Sequence, residues 1–312
     1  MVDIAIALFA LGVIAGLVRS DIALSKGTYD TLSILLMFAI GLKGGVALYG
    51  NLNWSMVPEL LAISGLGVLI PLVCYPVLRR LVQLNVANSA SLAAHYGSVS
   101  AGTFAVALAY VESRGLPMSP QTTLYLVLLE MPAIITGIFL FRHCSDSTGD
   151  WGGLWREAFT SRGVVLLVGG VVIGFVYGPQ GTAPIAPLFV GLFKALLALF
   201  LLEMGLTTAR FMAEWKRDQW RLVLFGLLAP PILASGGLAL ALVLGLPAGS
   251  AVLLTVLAGS ASYIAAPAAI RHAIPEADVG MAMFAALGLT FPLNVFLGIP
   301  AYHWIVMQGL GL

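Results

Sequence analysis

Apolar residues run along this chain in stretches of 16 to 27 positions, separated by short polar or Pro/Gly-rich punctuation. Cutting at that punctuation predicts ten membrane-spanning helices, at 2–18, 30–48, 54–78, 86–111, 121–141, 163–178, 187–208, 221–245, 249–271 and 279–305. A crossing needs about 20 apolar residues to bridge about 30 Å of hydrocarbon, so most suffice, and the sixth suffices only if it extends into its flanks.

Composition turns that pattern into a class. With 60% hydrophobic residues, 9% charged and a mean hydropathy of +1.01, the chain has too little polar surface to cover a soluble globule, which leaves an all-α polytopic membrane protein embedded in the bilayer. The net charge of +1 implies no nucleic-acid partner. Cys74 in an apolar stretch and Cys144 in a polar loop make no framework for disulfides or metal.

The positions of the charges say more than their sum. On alternating crossings, Arg19, Lys26, Arg79, Arg80, Arg142, Arg156, Arg162, Arg210, Lys216, Arg217, Arg221 and Arg271 fall on one side and Arg114 alone on the other. That asymmetry places both termini outside the cytoplasm and supports the count of ten. Asp3 before the first stretch and Arg19 after it give the charge order of an inserted span, not of a cleaved leader.

An internal repeat comes out of four landmarks. Gly41-Leu42-Lys43-Gly44-Gly45 aligns with Gly205-Leu206-Thr207-Thr208-Ala209, Trp54 with Trp220, Gly97-Ser98-Val99-Ser100 with Gly259-Ser260-Ala261-Ser262, and Glu130-Met131-Pro132 with Thr290-Phe291-Pro292, at offsets of 164, 166, 162 and 160. Five crossings per half is an odd number, so the second half lies inverted, the plan of secondary transporters. The expected organisation is a first repeat at 1–141, a cytoplasmic linker at 142–162 and a second repeat at 163–312.

The two Gly-Ser-x-Ser runs sit mid-stretch. A span in lipid can lose helical hydrogen bonds only where the freed groups face protein, water or ligand, so Gly97, Ser98, Val99, Ser100 and Gly259, Ser260, Ala261, Ser262 are expected to break the fourth and ninth helices around one shared site. Inversion points the restarting half-helices at each other, so two positive dipole ends and free amides meet, an environment for a small anion. Pro267 suits the first turn of the second restart. Seryl hydroxyls can donate to anion oxygens, and carbonyls ending the preceding half-helices can coordinate a cation such as Na⁺. Small-residue runs also serve plain helix packing, the competing explanation for either run alone.

Charges inside spans are costly unless paired or hydrated. Glu130 is a candidate Na⁺ ligand or proton carrier, with Thr290 and Asn294 as further oxygen ligands. Lys43 could attract an anion or neutralise a carboxylate such as Glu203; Lys194 is placed to snorkel; and His95 reads equally as a packed residue or a relay. No catalytic residue is assigned, because no Gly-x-Ser-x-Gly run or metal-ligand cluster accompanies the serines.

The strings Ala39-Ile40-Gly41-Leu42-Lys43-Gly44-Gly45, His95-Tyr96-Gly97-Ser98-Val99-Ser100-Ala101, Glu130-Met131-Pro132-Ala133-Ile134-Ile135, Glu203-Met204-Gly205, the run from Gly259 to Ala269, and Thr290-Phe291-Pro292-Leu293-Asn294 resemble the SbtA-type sodium-dependent bicarbonate transporters of cyanobacteria and their bacterial relatives. The resemblance implies Na⁺/bicarbonate symport in a bacterial inner membrane, core and gate domains, an elevator-type motion and a homotrimer, with no cofactor beyond Na⁺ as coupling ion. It implies that Ser98, Ser100, Ser260 and Ser262 surround bicarbonate, and it brings in Ser98, Thr103, Glu130, Ser262 and Asn294 for Na⁺. Members of the family answer to a PII-like regulatory partner; the linker here is shorter than in the cyanobacterial members, and Gly102 replaces a larger residue. Two other readings, a small organic anion symporter and a Na⁺/H⁺ exchanger, share the architecture. The exchanger is disfavoured because all seven aspartates lie outside the spans or at their ends.

Overall fold

Each apolar stretch forms helix in the computed structural model, which describes residues 4–22, 25–145, 160, 162–213 and 219–312. In chain order the helices are α1 (Ile4–Leu17), α2 (Lys26–Leu48), α3 (Val57–Val77), α4 (Val86–Gly97), α5 (Ala101–Ser113), α6 (Tyr125–Cys144), α7 (Arg162–Thr182), α8 (Phe193–Ala213), α9 (Trp220–Val243), α10 (Ala248–Ala258), α11 (Ala265–Ala273) and α12 (Val279–Gly309). Among the described residues, eight helical units, with α4 and α5 counted together, are long and apolar enough to cross a membrane, and α1 and α10 are shorter apolar helices. The linker expected at 142–162 falls largely outside the described residues, as do Arg156, Lys216 and Arg217. The short sixth stretch does extend, through Gly178 to Thr182. Gly178 bends the helix with φ +60° against the ring of Tyr49, where a Cβ would come within 2.8 Å.

Two glycine seams build one half of the molecule. Along α1 and α8, a Cβ on Gly12 would meet the Leu202 carbonyl at 2.2 Å and one on Gly205 the Phe9 carbonyl at 2.3 Å. Along α2 and α7, a Cβ on Gly41 would meet the Leu167 carbonyl at 2.3 Å and one on Gly45 the Val171 carbonyl at 2.1 Å. In lipid, where tails are as apolar as leucine, such close backbone approach supplies the dispersion contact that holds helices together. The register advances in the same sense on both helices of each pair, Gly12 to Gly205 and Gly16 to Ala209, Gly41 to Gly170 and Gly45 to Gly174, so each pair runs parallel.

The remaining helices form a second body with matching contacts in its two halves. α3 packs on α4 and α6 as α9 packs on α10 and α12; α4 packs on α6 as α10 does on α12; and α5 meets α10 where α4 meets α11. Gly97 packs on Pro71 of α3, and Gly259 on the Pro230 carbonyl of α9, with virtual Cβ contacts of 2.5 and 2.7 Å. Helix α12 widens into π turns at Phe284–Thr290 and Asn294–Gly298, on either side of Pro292, which lacks an amide donor.

Candidate functional site at two crossed helix breaks

Between α4 and α5 the helix stops at Gly97 and restarts at Ala101; between α10 and α11 it stops at Ala258 and restarts at Ala265. In the first gap Val99 adopts φ +52°, a conformation unfavourable for a β-branched residue and costing of order 1–3 kcal/mol. Ser100 then caps α5, its hydroxyl accepting from the Thr103 amide at 3.0 Å. In the second gap the Ser262 hydroxyl accepts from the Ala266 amide at 3.2 Å, and Pro267 occupies the third position of α11, where an amide would find no helical acceptor. The amides of Ala101, Gly102 and Ala265, in the first turns, have no intrahelical acceptor either.

The breaks are tied directly to each other. The Ser262 amide donates to the His95 carbonyl at 2.7 Å. Under the repeat alignment the matching link is from the Ser100 amide to the Leu257 carbonyl, and there a hydroxyl is inserted. The Ser100 amide donates to Ser260 Oγ at 2.9 Å, and Ser260 Oγ donates to the Leu257 carbonyl at 2.7 Å. This difference between the halves leaves Ser98, the mate of Ser260, outside the tie. Ser98 Oγ, Thr103 Oγ1 and His95 Nε2 are buried and have no hydrogen-bond partner in the protein. Buried polar atoms are normally satisfied, and leaving one unmade costs about 1–3 kcal/mol, so three around one break make it the candidate ligand site.

Supporting helices hold the breaks from behind. Asn294 Nδ2 donates to the Gly259 carbonyl at 2.7 Å, and Asn294 Oδ1 accepts from the Tyr302 hydroxyl at 3.2 Å. Thr290 Oγ1 donates to the Gly226 carbonyl at 3.0 Å, so the Tyr96 hydroxyl, 2.8 Å away, donates to Thr290. Asn294, expected as a Na⁺ ligand, thus positions the end of α10 in this conformation, and the carbonyl it holds is one of those expected to face a cation. The sequence reading also passed over Tyr263, whose hydroxyl sits where a Gly102 Cβ would be, at 1.8 Å. Gly102 is therefore required by Tyr263, a pairing of residues 161 apart that no local signal gives away.

Ser98, Ser100, Ser260 and Ser262 are all essentially inaccessible, so the site is occluded. A cleft with about 10 Å³ of space adjoins it, lined by Ser33, Met37, Ala101, Gly102, Phe200 and Ile264 among others. Among the described residues no group of three His, Cys, Asp or Glu could hold a metal ion. The oxygen atoms at the breaks come from serine, threonine and backbone groups, a donor set suited to Na⁺.

The in-span charges divide between the two bodies. Lys43 Nζ pairs with Glu112 Oε1 at 2.5 Å and lies 4.7 Å from the centroid of the Phe193 ring, so its carboxylate partner is at the end of α5 and not Glu203. Glu203 is buried and accepts from Thr207 Oγ1 at 3.4 Å. Lys194 is exposed, as a snorkelling side chain would be, and His95 Nδ1 is 2.7 Å from the Ser91 carbonyl. Glu130 is buried on α6 with its carboxylate facing Gly163 at the start of α7, and among the described residues no hydrogen bond or ion pair reaches it. Replacing it by glutamine keeps the shape and one oxygen while removing the ionisable group. Glu130→Gln is expected to lower the Na⁺ dependence of transport more than the yield of folded protein; unchanged Na⁺ dependence with lower yield would assign it to packing.

A family model described as the Na⁺-dependent bicarbonate transporter superfamily matches residues 5–307 of the 312. No curated protein matches the chain.

Proposed function

Because the chain belongs to the Na⁺-dependent bicarbonate transporter superfamily, we propose that it is a Na⁺/bicarbonate symporter whose substrate site is the crossing of the two serine breaks. The observation that carries this reading is the quartet of buried, cross-tied serines in which Ser98 keeps a hydroxyl that no protein group uses. Two half-helix starts, whose first amides have no intrahelical acceptor, give an anion two dipole ends without a formal cation. Na⁺ then completes the charge balance beside it, held by the oxygens of Ser98, Thr103 and Ser262.

The matching contacts of the halves and the parallel glycine seams support ten crossings in two inverted sets of five, 1–141 and 163–312; placing both termini on the outer face of a bacterial inner membrane rests on the arginine and lysine asymmetry and on family likeness. On this reading the glycine-sealed body of α1, α2, α7 and α8 is the gate and the body holding both breaks is the core, which moves against it as an elevator. The Lys43–Glu112 ion pair between α2 and α5 would have to break in that motion. A homotrimer and a PII-like partner rest on family likeness alone.

The test is uptake of labelled bicarbonate into proteoliposomes. Accumulation is expected with an inward Na⁺ gradient and not with K⁺ replacing Na⁺ at equal ionic strength. Equal uptake in both would remove symport, and no uptake of bicarbonate alongside Na⁺-driven uptake of another anion would remove the substrate.

A further inference from the structure

We propose that the outward-facing groove between α3 and α9 binds one anionic phospholipid, its acyl chain along the groove and its phosphate at Arg221. The groove has a volume of about 290 Å³, with Val73, Cys74 and Val77 on one wall and Leu224, Leu228 and Ile232 on the other. Val73, Leu224 and Ile232 are exposed, so the groove opens to the surroundings of the helices. From Arg221, the basic residue at its polar end, to Leu233, its far limit on α9, the helix rises about 18 Å at about 1.5 Å per residue. That is close to one leaflet's share of about 30 Å of hydrocarbon. An acyl chain entering from the Arg221 end is therefore matched in polarity and in length.

The lining changes character at that end. The groove runs into a polar pocket of about 360 Å³ that shares Val82, Trp220 and Arg221 with it and adds Gln83 and Gln219. Arg221 donates to Gln83 Oε1 and sits 5.4 Å from the centroid of the Trp220 ring; one acceptor leaves most of a guanidinium's five N–H donors for a phosphate. Arg79, which donates to the Leu84 carbonyl, and Arg80 are exposed at the same end of α3. Asp278, just before α12, accepts from the Met281 amide at 3.0 Å and is engaged in capping that helix. Trp220, 56% exposed, is a residue type placed where lipid meets water. A free phosphate would meet the arginines and leave the groove unfilled, and a zwitterionic lipid would fill the groove and leave the charge unanswered. A net-negative phospholipid answers both.

The groove backs onto the transport site. Ala229 lines it, and the next residue, Pro230, contributes the carbonyl against which Gly259 packs. A bound lipid would thus brace α9 behind the second break, a consequence that rests on the functional reading above, whereas the binding itself does not.

The test uses the full-length protein in nanodiscs containing phosphatidylglycerol with a photoactivatable acyl chain, with crosslinked peptides mapped by mass spectrometry. Labelling is expected on α3 and α9. It should fall about fivefold in Arg221→Gln and at least as far in Arg79→Gln/Arg80→Gln, given the attraction that each basic residue adds near an anionic surface. Arg114→Gln, which removes the guanidinium stacked on Tyr110, should leave it unchanged. The double variant keeps the test open if Arg221→Gln fails to elute as a folded species. Equal labelling by the phosphatidylcholine analogue, labelling indifferent to all three arginines, or displacement by millimolar glycerol phosphate would each overturn the proposal. Failure here leaves Na⁺-driven uptake untouched, so the two readings fall separately.

Discussion

Ser98→Ala should weaken bicarbonate binding by roughly 5- to 150-fold and leave the folded protein as stable as the wild type. The reason is the unequal use of the two repeat-related serines. Ser98 Oγ is buried with no protein partner, so its removal takes nothing from the empty fold, while a bound anion loses a donor worth about 1–3 kcal/mol in a dry site. Ser260 is in the opposite position. Its proton goes to the Leu257 carbonyl and its oxygen accepts from the Ser100 amide, so Ser260→Ala leaves the buried Ser100 amide unpaired, while the Leu257 carbonyl keeps the Ser260 amide at 2.9 Å. That variant should lose thermal stability as well as affinity. The double variant should lose less affinity than the sum of the single losses, since both act on one ligand. Bicarbonate affinity and melting temperature, measured on all three variants, decide the matter. Normal affinity in Ser98→Ala would return that serine to a packing role, and full additivity would argue against a shared site.

The second large effect separates two adjacent glycines. Gly170 faces the α2 seam, where a Cβ would lie 2.8 Å from the Phe38 carbonyl and 2.9 Å from the Leu42 amide, while Gly169 has nothing within 4 Å. Gly169→Ala should be neutral or stabilising by up to about 1 kcal/mol, the helix-propensity difference between the two residues. Gly170→Ala, and more severely Gly45→Ala with its 2.1 Å approach to the Val171 carbonyl, must push two backbones apart, at a cost at or above the about 1–3 kcal/mol typical of overpacking. Melting of the purified variants in one detergent reads this directly. Equal melting of Gly169→Ala and Gly170→Ala would mean that the seam is not a stabilising contact.

Lipid as solvent explains how much could be read from the chain. Where every backbone group must be paired internally, apolar stretches have little choice but to become helices, so the stretches and the mid-span interruptions at Gly97-Ser98-Val99-Ser100 and Gly259-Ser260-Ala261-Ser262 were visible without coordinates. The aligned strings beginning at Gly41 and Gly205 also kept their meaning: each seals against a glycine pair of the opposite half, Gly170 and Gly174 for one and Gly12 and Gly16 for the other.

What hydrogen bonds the side chains make was decided only by tertiary packing. Sequence periodicity assigned equal roles to Ser98 and Ser260, and the fold separated them through one carbonyl, that of His95, which takes the Ser262 amide directly. It proposed Asn294 as a cation ligand, and α12, widened by π turns around Pro292, sets that side-chain amide on the Gly259 carbonyl at the end of α10. It offered Glu203 to Lys43, and the meeting of α2 with α5 supplied Glu112. The sequence determined the helices and their interruptions, because those follow from local composition and the chemistry of the bilayer. Which donor meets which acceptor across separations of up to 194 residues depended on helix register and on close approaches of a few tenths of an ångström, which only the assembled molecule sets.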